Sequence, residues 1–229
     1  MNRKNKIVVL TGAGMSAESG IKTFRDANGL WEGHNIEEVA TPQGWYNNPE
    51  LVLDFYNQRR EQLLRVQPNK AHCLLKTLEE KYDVHIITQN VDDLHERAGS
   101  SQVLHLHGEL RKVRSSVNEN LIYKWDNDLK LGNVCSQNSQ LRPHIVWFGE
   151  AVPNLSIAEQ ITKTADILII IGTSMQVYPA ANLIYDIRKG IPIYFIDPKP
   201  NISESQFENL TIIAASATVG MKNLYHLLN

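Results

Sequence analysis

The amino-acid sequence predicts an α/β fold built on an open parallel sheet with helices on both faces. Six short β-branched segments recur along the chain, and each is apolar nearly throughout, which is typical of strands buried on both faces of such a sheet. Helical periodicity between several of these segments favours the same fold class. The predicted strands are Ile7–Leu10, Val84–Thr88, Val103–Leu106, Ile167–Ile171, Ile193–Ile196 and Thr211–Ala214.

The helices and two insertions complete the predicted architecture. Apolar residues at helical spacing predict helices over Pro49–Arg65, Ala71–Tyr82 and Leu155–Ala165. The stretches 28–68 and 111–142 interrupt the alternation of strand and helix, and we interpret them as insertions that form a smaller lobe. The expected organisation is one domain over residues 1–229, with a large lobe of 1–27, 69–110 and 143–229.

Composition excludes several classes of protein. The chain has 229 residues and a formal net charge of −2, which does not suggest a nucleic-acid binder. Two cysteines are too few for a disulfide scaffold, so we expect a reducing, cytoplasmic setting. The apolar runs are too short for a signal peptide or a membrane span. No coiled-coil pattern is present, and we expect a monomer.

A glycine-rich loop directly follows the first predicted strand. The residues Gly12, Ala13, Gly14 and Ser16 stand where main-chain N–H groups of a strand–turn–helix unit approach a pyrophosphate. A turn without a ligand is the alternative for this motif taken alone. A dehydrogenase would reach a second strand and an acidic residue roughly 20 residues later. Since the next predicted strand begins at Val84, hydride transfer is not favoured.

Five ordered groups of motifs resemble the sirtuin family of NAD-dependent protein lysine deacylases and span nearly the whole chain. They are Gly12–Ser16 with Ser19–Ile21 and Phe24–Asp26, then Thr88–His95, then Leu106–Gly108, then Pro143–Glu150, then Gly172–Ser174 with Val177, Pro179 and Ala180. The resemblance implies a Rossmann-like large domain, with NAD and an acyl-lysine protein or peptide meeting in the cleft between the lobes. It also implies that NAD is consumed, giving nicotinamide and O-acyl-ADP-ribose.

The resemblance assigns the catalytic and cofactor residues. His107 is expected to be the general base, because a neutral imidazole accepts a proton near pH 7; a structural histidine is the alternative. Asn90 and Asp92 are expected at the nicotinamide and its ribose, although Asp92 or Asp93 is also suited to cap a helix. His105 matches no motif and is interpreted as structural. The remaining expected cofactor contacts are Gln89, Phe24, Arg25, Gly172, Thr173, Ser174, Asp197 and Ala217. The family usually has an amide at the position of Asp197.

A second group is expected to bind the acylated lysine. Val146, Phe148, Gly149 and Glu150 resemble the segment that pairs with the substrate peptide by strand addition. Either Trp147 or Phe148 is expected to pack in the core instead.

Three residues resemble the acyl pocket of the desuccinylase and demalonylase branch of the family. Tyr56 and Arg59 are spaced i and i+3 on one predicted helix and therefore share a face, where a phenol and a guanidinium suit a carboxylate. Ala40 is small, which widens the pocket. We therefore expect removal of succinyl, malonyl or glutaryl groups, with weaker deacetylation. The alternative is a solvated Arg59 and a core Tyr56.

The zinc cysteines of the family are missing. Structural zinc requires four Cys or His ligands, but Cys135 is the single cysteine of residues 111–142, and Ser115, Asn118 and Asn138 stand where other ligands are expected. Because serine and asparagine are poor zinc ligands, we expect no structural zinc. The expected apolar core of this insertion is Leu121, Ile122, Tyr123, Trp125 and Leu131.

Two other kinds of function remain open at this point. Protein ADP-ribosyl transfer or simple NAD hydrolysis would use the same cofactor pocket but would not need the acyl-pocket residues. A non-catalytic NAD-binding sensor would be expected to have another residue in place of His107, Asn90 or Asp92, but the sequence has all three.

Overall fold

A computed structural model of the chain describes residues 3–22, 30–31 and 33–228. Its strands are β1 (Lys6–Thr11), β2 (Leu30–Trp31), β3 (His34–Asn35), β4 (Asp83–Thr88), β5 (Val103–His105), β6 (Gly108–Ser115), β7 (Ile122–Lys124), β8 (Leu141–Ile145), β9 (Ile167–Ile171), β10 (Ile193–Ile196) and β11 (Leu210–Ile213). Its α-helices are α1 (Ile36–Val39), α2 (Pro42–Asn47), α3 (Pro49–Arg65), α4 (Lys70–Leu78), α5 (Leu94–Arg97), α6 (Leu155–Lys163) and α7 (Ala217–Leu228).

The six predicted strands form one parallel sheet, in the order β11-β10-β9-β1-β4-β5. When the six strands of this sheet are numbered along the chain, their spatial order is 6-5-4-1-2-3, which is that of the Rossmann fold. The prediction of the fold class is therefore confirmed. Strand β4 lies on one side of β1, and β9, which comes later in the chain, lies on the other side. The strand order therefore reverses between β1 and β9, and ligands bind at such a point in open α/β sheets.

Apolar side chains on both faces explain why the strands are apolar throughout. Ile7 and Val9 of β1 lie in one core cluster, which includes residues of α4 and α7. Val8 and Leu10, which alternate with them, lie in a second cluster that includes residues of α6 and of the 3-10 helix Ala180–Asp186. All four strand residues are at most 3% exposed. Helices therefore cover both faces of the sheet, as predicted.

A three-stranded antiparallel sheet, in the order β7-β6-β8, contains much of the second insertion. Its small core buries Leu53, Val113, Leu129, Cys135 and Leu141, and Leu121, Tyr123 and Trp125 pack against it. The expected core positions of Ile122 and Leu131 are wrong, because these side chains are 43% and 46% exposed. In β7 side chains alternate between faces, so Tyr123 turns toward the core and Ile122 turns away.

Helix α3 connects this small sheet to the rest of the molecule. It begins after Asn48, whose side chain accepts a hydrogen bond from the N–H of Leu51, and Pro49 suits its first turn. Arg60 is 1% exposed; its Nε donates to the carbonyl of Leu110 at 3.0 Å, and its Nη1 donates to Asn57 Oδ1 at 2.8 Å. These bonds fix the orientation of α3 relative to β6.

No helix in the described part of the chain is long and apolar enough to cross a membrane.

Candidate active site at the carboxyl edge of the sheet

The carboxyl ends of the parallel strands end together at one edge of the sheet. Thr11, the last residue of β1, lies opposite Thr88 of β4 and Ile171 of β9 in the strand register. Thr88 in turn lies opposite His105 of β5, and Ile171 lies opposite Ile196 of β10. The segments that leave these ends carry almost all of the predicted cofactor residues. The fold thus brings together residues that are up to about 200 positions apart in the sequence.

The glycine loop meets the loop after β9 at the point where the strand order reverses. The Gly14 N–H donates to the carbonyl of Gly172 at 2.8 Å. A Cβ on Gly14 would lie 2.7 Å from Gly172 Cα, and a Cβ on Gly172, whose φ is +61°, would lie 2.3 Å from Met15 N. The glycines are therefore required for contact between two main chains. Two 3-10 turns, Ala13–Met15 and Ala17–Ser19, follow the glycines in place of the expected helix start.

Ser16 joins the glycine loop to the segment that follows β4. Asn90 Nδ2 donates to Ser16 Oγ at 3.2 Å, and that hydroxyl donates to Asp92 Oδ2 at 2.9 Å. Burial raises the pKa of Asp92, while hydrogen bonds from Ser16 and the Leu94 N–H oppose that rise. Asp92 also accepts the Leu94 N–H through Oδ1 at 3.1 Å, just before α5 begins. The N-cap residue of α5 is Asp93, which forms no side-chain cap bond, so Asp92 bonds to the first turn from the position before the cap. Ser16 is fully buried and holds the two loops together.

His107 has the hydrogen bonding of a neutral base. Its Nδ1 lies 3.0 Å from the carbonyl oxygen of Gln89, and because a carbonyl only accepts, Nδ1 carries the hydrogen. Nε2 is then the nitrogen with the lone pair. Burial lowers the pKa of His107, and the bond to Gln89 only partly offsets this effect. The imidazole is therefore neutral near pH 7. Gln89 itself donates from Nε2 to Thr173 Oγ1 at 3.3 Å, which connects the loops after β4 and β9.

The predicted peptide segment connects His107 to the expected acyl pocket. The N–H of Val146 donates to the carbonyl of His107, and the N–H of Phe148 donates to the carbonyl of Ala40, both at 2.9 Å. Between them, Trp147 is 2% exposed, whereas Phe148 is 49% exposed. Of these two aromatic residues Trp147 is therefore the one in the core, as expected for one of the pair. The tight turn that follows carries Gly149, whose φ is +89°.

Tyr56 belongs to the core beneath this segment. It is 0% exposed, and its hydroxyl oxygen accepts a hydrogen bond from Trp147 Nε1 at 3.0 Å. Burial raises the pKa of Tyr56, so the phenol keeps its proton. Ala40 lies in the same apolar cluster and is 2% exposed. The structure thus brings Ala40 and Tyr56 together around Trp147.

Arg59 lies one turn further along α3. Its guanidinium carbon is 4.9 Å from the centroid of the Phe55 ring, and the side chain is half-buried. The sequence left open the alternative of a solvated Arg59 and a core Tyr56. Tyr56 does lie in the core, but Arg59 is half-buried and not fully solvated.

Glu150 turns inward, which changes the role expected for it. Its carboxylate accepts from Arg142 Nη1 at 2.7 Å, from the Trp147 N–H at 2.8 Å and from Arg114 Nη2 at 3.3 Å. The guanidinium carbon of Arg142 lies 3.3 Å from the centroid of a Trp147 ring. The Glu150 carboxylate therefore supports Trp147, and direct contact of this carboxylate with a peptide is not favoured. Arg114 and Arg142, which sequence reasoning did not single out, lie at ordinary strand positions without a motif.

The other predicted cofactor residues that the structure describes lie near the same edge. Thr173 is 5% exposed and Ser174 follows it; Asp197, just after β10, accepts a hydrogen bond from the Lys199 N–H at 2.8 Å. Ala217 begins α7, whose Thr218 N–H donates to Glu18 at 2.8 Å. The expected contacts of Phe24 and Arg25 lie outside the described residues.

The region that corresponds to a zinc site contains hydroxyl groups and one thiol. Ser139 Oγ lies 2.7 Å from Ser115 Oγ and 3.0 Å from Cys135 Sγ, and the N–H groups of Asn118 and Gln137 donate to Ser115 Oγ and Cys135 Sγ. Across the described ranges, no three His, Cys, Asp or Glu residues cluster as metal ligands. One thiol and two hydroxyls do not fit a structural zinc ion.

Known proteins are similar to this chain in both sequence and fold. The model of the Sir2 family matches residues 12–179. A relative named NAD-dependent protein deacylase, from Helicobacter pylori, is 61% identical over 218 residues, which is 95% of each chain. Another with the same name, from Bacteroides thetaiotaomicron, is 51% identical over 97% of each chain.

Solved structures agree with these relatives. A crystal structure of a Sir2 homolog–NAD complex has a TM-score of 0.86 and 40% identity, and the match covers 98% of this chain and 90% of that one. A Sir2 protein bound to acetylated peptide has a TM-score of 0.79 and 29% identity, over 99% and 94% of the two chains.

A Rossmann-type sheet with a neutral histidine, an amide and a carboxylate at its ligand-binding edge fits an enzyme that uses a nucleotide cofactor. The family match over most of the chain makes the assignment specific. The chain belongs to the Sir2 family.

Proposed function

We propose that this chain, an NAD-dependent protein deacylase of the Sir2 family, prefers lysines that carry acidic acyl groups such as succinyl, malonyl or glutaryl. The observation that carries the proposal is the half-buried guanidinium of Arg59 beside the apolar cluster that contains Ala40 and Tyr56. Segment 146–148 joins that cluster to the proposed base, because its N–H groups bond to His107 and Ala40 and its indole bonds to Tyr56. The proposed base and the proposed acyl pocket are thus connected through three consecutive residues.

The residues at the carboxyl edge fit the polar groups of NAD. The amide of Asn90 can both donate to and accept from a carboxamide, and Asp92 can accept from ribose hydroxyls. When bound, NAD supplies the leaving nicotinamide and the ADP-ribose that accepts the acyl group. In the proposed reaction, His107 Nε2 takes a proton from a ribose hydroxyl, because its Nδ1 is already used by Gln89. We expect the lysine-bearing protein to be released free of its acyl group.

Main-chain pairing with the substrate peptide is proposed for residues 146–149. The N–H groups of Val146, Trp147 and Phe148 are already used within the protein. A carbonyl oxygen has two lone pairs, so the carbonyls of this segment are the groups expected to take N–H groups from an extended peptide. Recognition through the main chain would tolerate many peptide sequences.

The acidic preference is supported by charge and by the rigidity of the pocket. Arg59 brings a permanent positive charge to the half-buried face of α3, next to the apolar cluster that contains Ala40 and Tyr56. A terminal carboxylate on the acyl chain would form a charge-assisted hydrogen bond with this guanidinium. An acetyl group lacks the carboxylate and would gain nothing from Arg59. The bond from Trp147 fixes the orientation of the Tyr56 ring.

The substitution Arg59→Met tests this preference. We expect kcat/KM for a succinyl-lysine peptide to fall by about 10- to 100-fold, since hydrogen bonds to charged groups contribute about 1.5–3 kcal/mol. The same ratio for the acetyl-lysine peptide should change less than about threefold. The matched control is Arg65→Met, because Arg65 is in the last turn of the same helix with a side chain that is 75% exposed. Equal losses on both peptides with Arg59→Met would refute the role of Arg59.

Three rival functions would each give a different result with NAD and an acylated substrate. Protein ADP-ribosyl transfer would add mass to the protein substrate, and NAD hydrolysis would give free ADP-ribose without loss of the acyl group. A sensor would bind NAD without releasing nicotinamide. Deacylation is favoured over all three because none of them needs the connection from His107 to the acyl pocket.

Four further expectations from the sequence remain proposals. We place the protein in the cytoplasm as a monomer. We divide its domain into a large lobe of residues 1–27, 69–110 and 143–229 and a small lobe of residues 28–68 and 111–142, with NAD and the peptide between them. We also propose that it holds no structural zinc; about one tightly held zinc ion per chain in elemental analysis would refute this.

A further inference from the structure

Two histidines on either side of Leu106 contact the same loop but differ in their second partner. His105 Nδ1 lies 3.0 Å from the carbonyl of Asn90, just as His107 Nδ1 lies 3.0 Å from the carbonyl of Gln89. His105 Nε2 lies 2.8 Å from Glu96 Oε1. No carboxylate within the described residues forms an ion pair with His107. The two imidazoles therefore have similar first contacts and different charge environments.

The two contacts of His105 require a hydrogen on each ring nitrogen. The Asn90 carbonyl and the Glu96 carboxylate both only accept, so His105 donates to both and is an imidazolium. Burial alone would lower the pKa of His105, but the bond and the charge of Glu96 outweigh burial and raise it. Burial would likewise raise the pKa of Glu96, and His105 reverses that effect. Geometry and charge thus agree on the protonated form.

The neighbouring charged groups favour the same state. Glu109 in β6 adds a second negative charge that favours protonated His105, and Asp92 interacts with His105 from the loop after β4. Lys112 pairs with Glu109 at 2.6 Å and also interacts with Glu96. The nearby His95 is buried, which lowers its pKa, and is neutral. Among these neighbouring side chains, Glu96 is the one that forms a hydrogen bond with His105.

The loop that His105 holds carries the residues proposed to bind the nicotinamide end of NAD. The Asn90 N–H donates to Thr88 Oγ1 at 3.0 Å, while its carbonyl accepts from His105, so the main chain of Asn90 is held from both sides. Its side chain reaches Ser16, which also holds Asp92. A shift of Asn90 would therefore disturb the Ser16 hydroxyl, which also bonds to Asp92. The positive charge of His105 also favours ionised Asp92, against the effect of burial.

We propose that the His105–Glu96 pair is a positioning device for the nicotinamide subsite: His105, held by Glu96, fixes the main chain at Asn90. The inference rests on the proposed binding of NAD at this edge. His105 and Glu96 touch neither the cofactor nor the acyl group in this proposal, and they act through Asn90 and Asp92.

The substitution Glu96→Gln tests the device without emptying the site. Its side chain is 41% exposed, so the neutral amide should be tolerated, while His105 loses the partner that favours its protonated form. We expect KM for NAD at pH 8.5 to rise by about 10- to 100-fold, the size of effect that small misplacements produce. The KM for the acyl peptide should stay within about twofold. At pH 6 the defect in KM should be smaller than at pH 8.5, because acid favours the protonated form of His105.

Two comparisons separate positioning from general damage. Glu109→Gln removes a nearby negative charge without touching the hydrogen bonds of His105, and it should leave KM for NAD within about twofold. In calorimetry, Glu96→Gln should weaken binding of NAD much more than binding of ADP-ribose, which lacks nicotinamide. Equal weakening of both ligands, or a defect in KM for NAD that does not depend on pH, would overturn the proposal. If the unsubstituted protein bound neither ligand, the proposed function itself would fail.

Discussion

The substitution Glu150→Gln should destabilise the protein, because it removes the negative charge shared by Arg114 and Arg142. The side chains of these arginines are 9% and 10% exposed, and that of Glu150 is 20% exposed. Removing one partner of a buried ion pair costs about 3–5 kcal/mol, since the remaining charge loses its compensation. Glutamine can still accept one hydrogen bond and the site is not fully buried. We therefore expect a loss of about 3 kcal/mol in the free energy of unfolding.

Urea unfolding followed by tryptophan fluorescence measures this loss. With a slope of about 3 kcal/mol/M for a chain of this size, the midpoint should fall by about 1 M. The matched control is Glu61→Gln, which breaks the exposed pair with Arg65, whose side chains are 62% and 75% exposed. Such surface pairs contribute at most about 1 kcal/mol. If Glu150→Gln and Glu61→Gln lowered the stability equally, the ion-pair argument would be wrong.

Three further outcomes follow from the site and the core. The variant His107→Tyr should lose at least about 100-fold in kcat, and the acid limb of the unsubstituted enzyme should lie below about pH 6.5, because burial lowers the pKa of His107; an acid limb above pH 7 would contradict this. Gly172→Ala should abolish detectable NAD binding in calorimetry, since the new Cβ would lie 2.3 Å from Met15 N; tight binding by a folded variant would refute the contact. Burial lowers the pKa of His72 to about 4, so the unfolded chain takes up a proton that the folded chain does not, and stability should fall by up to about 3 kcal/mol as the pH drops from about 6.5 to about 4. His72→Gln should flatten that fall in urea unfolding, and an unchanged pH dependence would contradict the assignment.

The sequence predicted the main sheet well because its strands are short, apolar and buried on both faces. Every predicted strand lies in the parallel sheet, and Pro49–Arg65 matches α3 at both ends. The boundaries of α4 were less accurate: the helix begins at Lys70 and ends at Leu78, because Asn69 and His72 form its capping box and a turn follows it. Helix α7 was not predicted.

The small lobe and the second roles of site residues were harder to predict. Ile122 is exposed because the antiparallel strand β7 alternates its faces, which composition alone does not reveal, and Leu131 is exposed in a turn outside that strand. Glu150 turned out to hold Arg142, and the bond from Trp147 to Tyr56 crosses 91 residues of sequence. Such contacts depend on the packing of distant elements, for which a single sequence carries no direct signal.

The central claim is that this deacylase transfers acidic acyl groups to ADP-ribose. The direct measurement incubates the protein with NAD and matched succinyl-, malonyl- and acetyl-lysine peptides, and follows the products by mass spectrometry, with His107→Tyr as the control. We predict NAD-dependent loss of succinyl and malonyl groups, faster than loss of acetyl, with one O-acyl-ADP-ribose formed per lysine released. Faster removal of acetyl, or release of the acyl group without O-acyl-ADP-ribose, would contradict the claim.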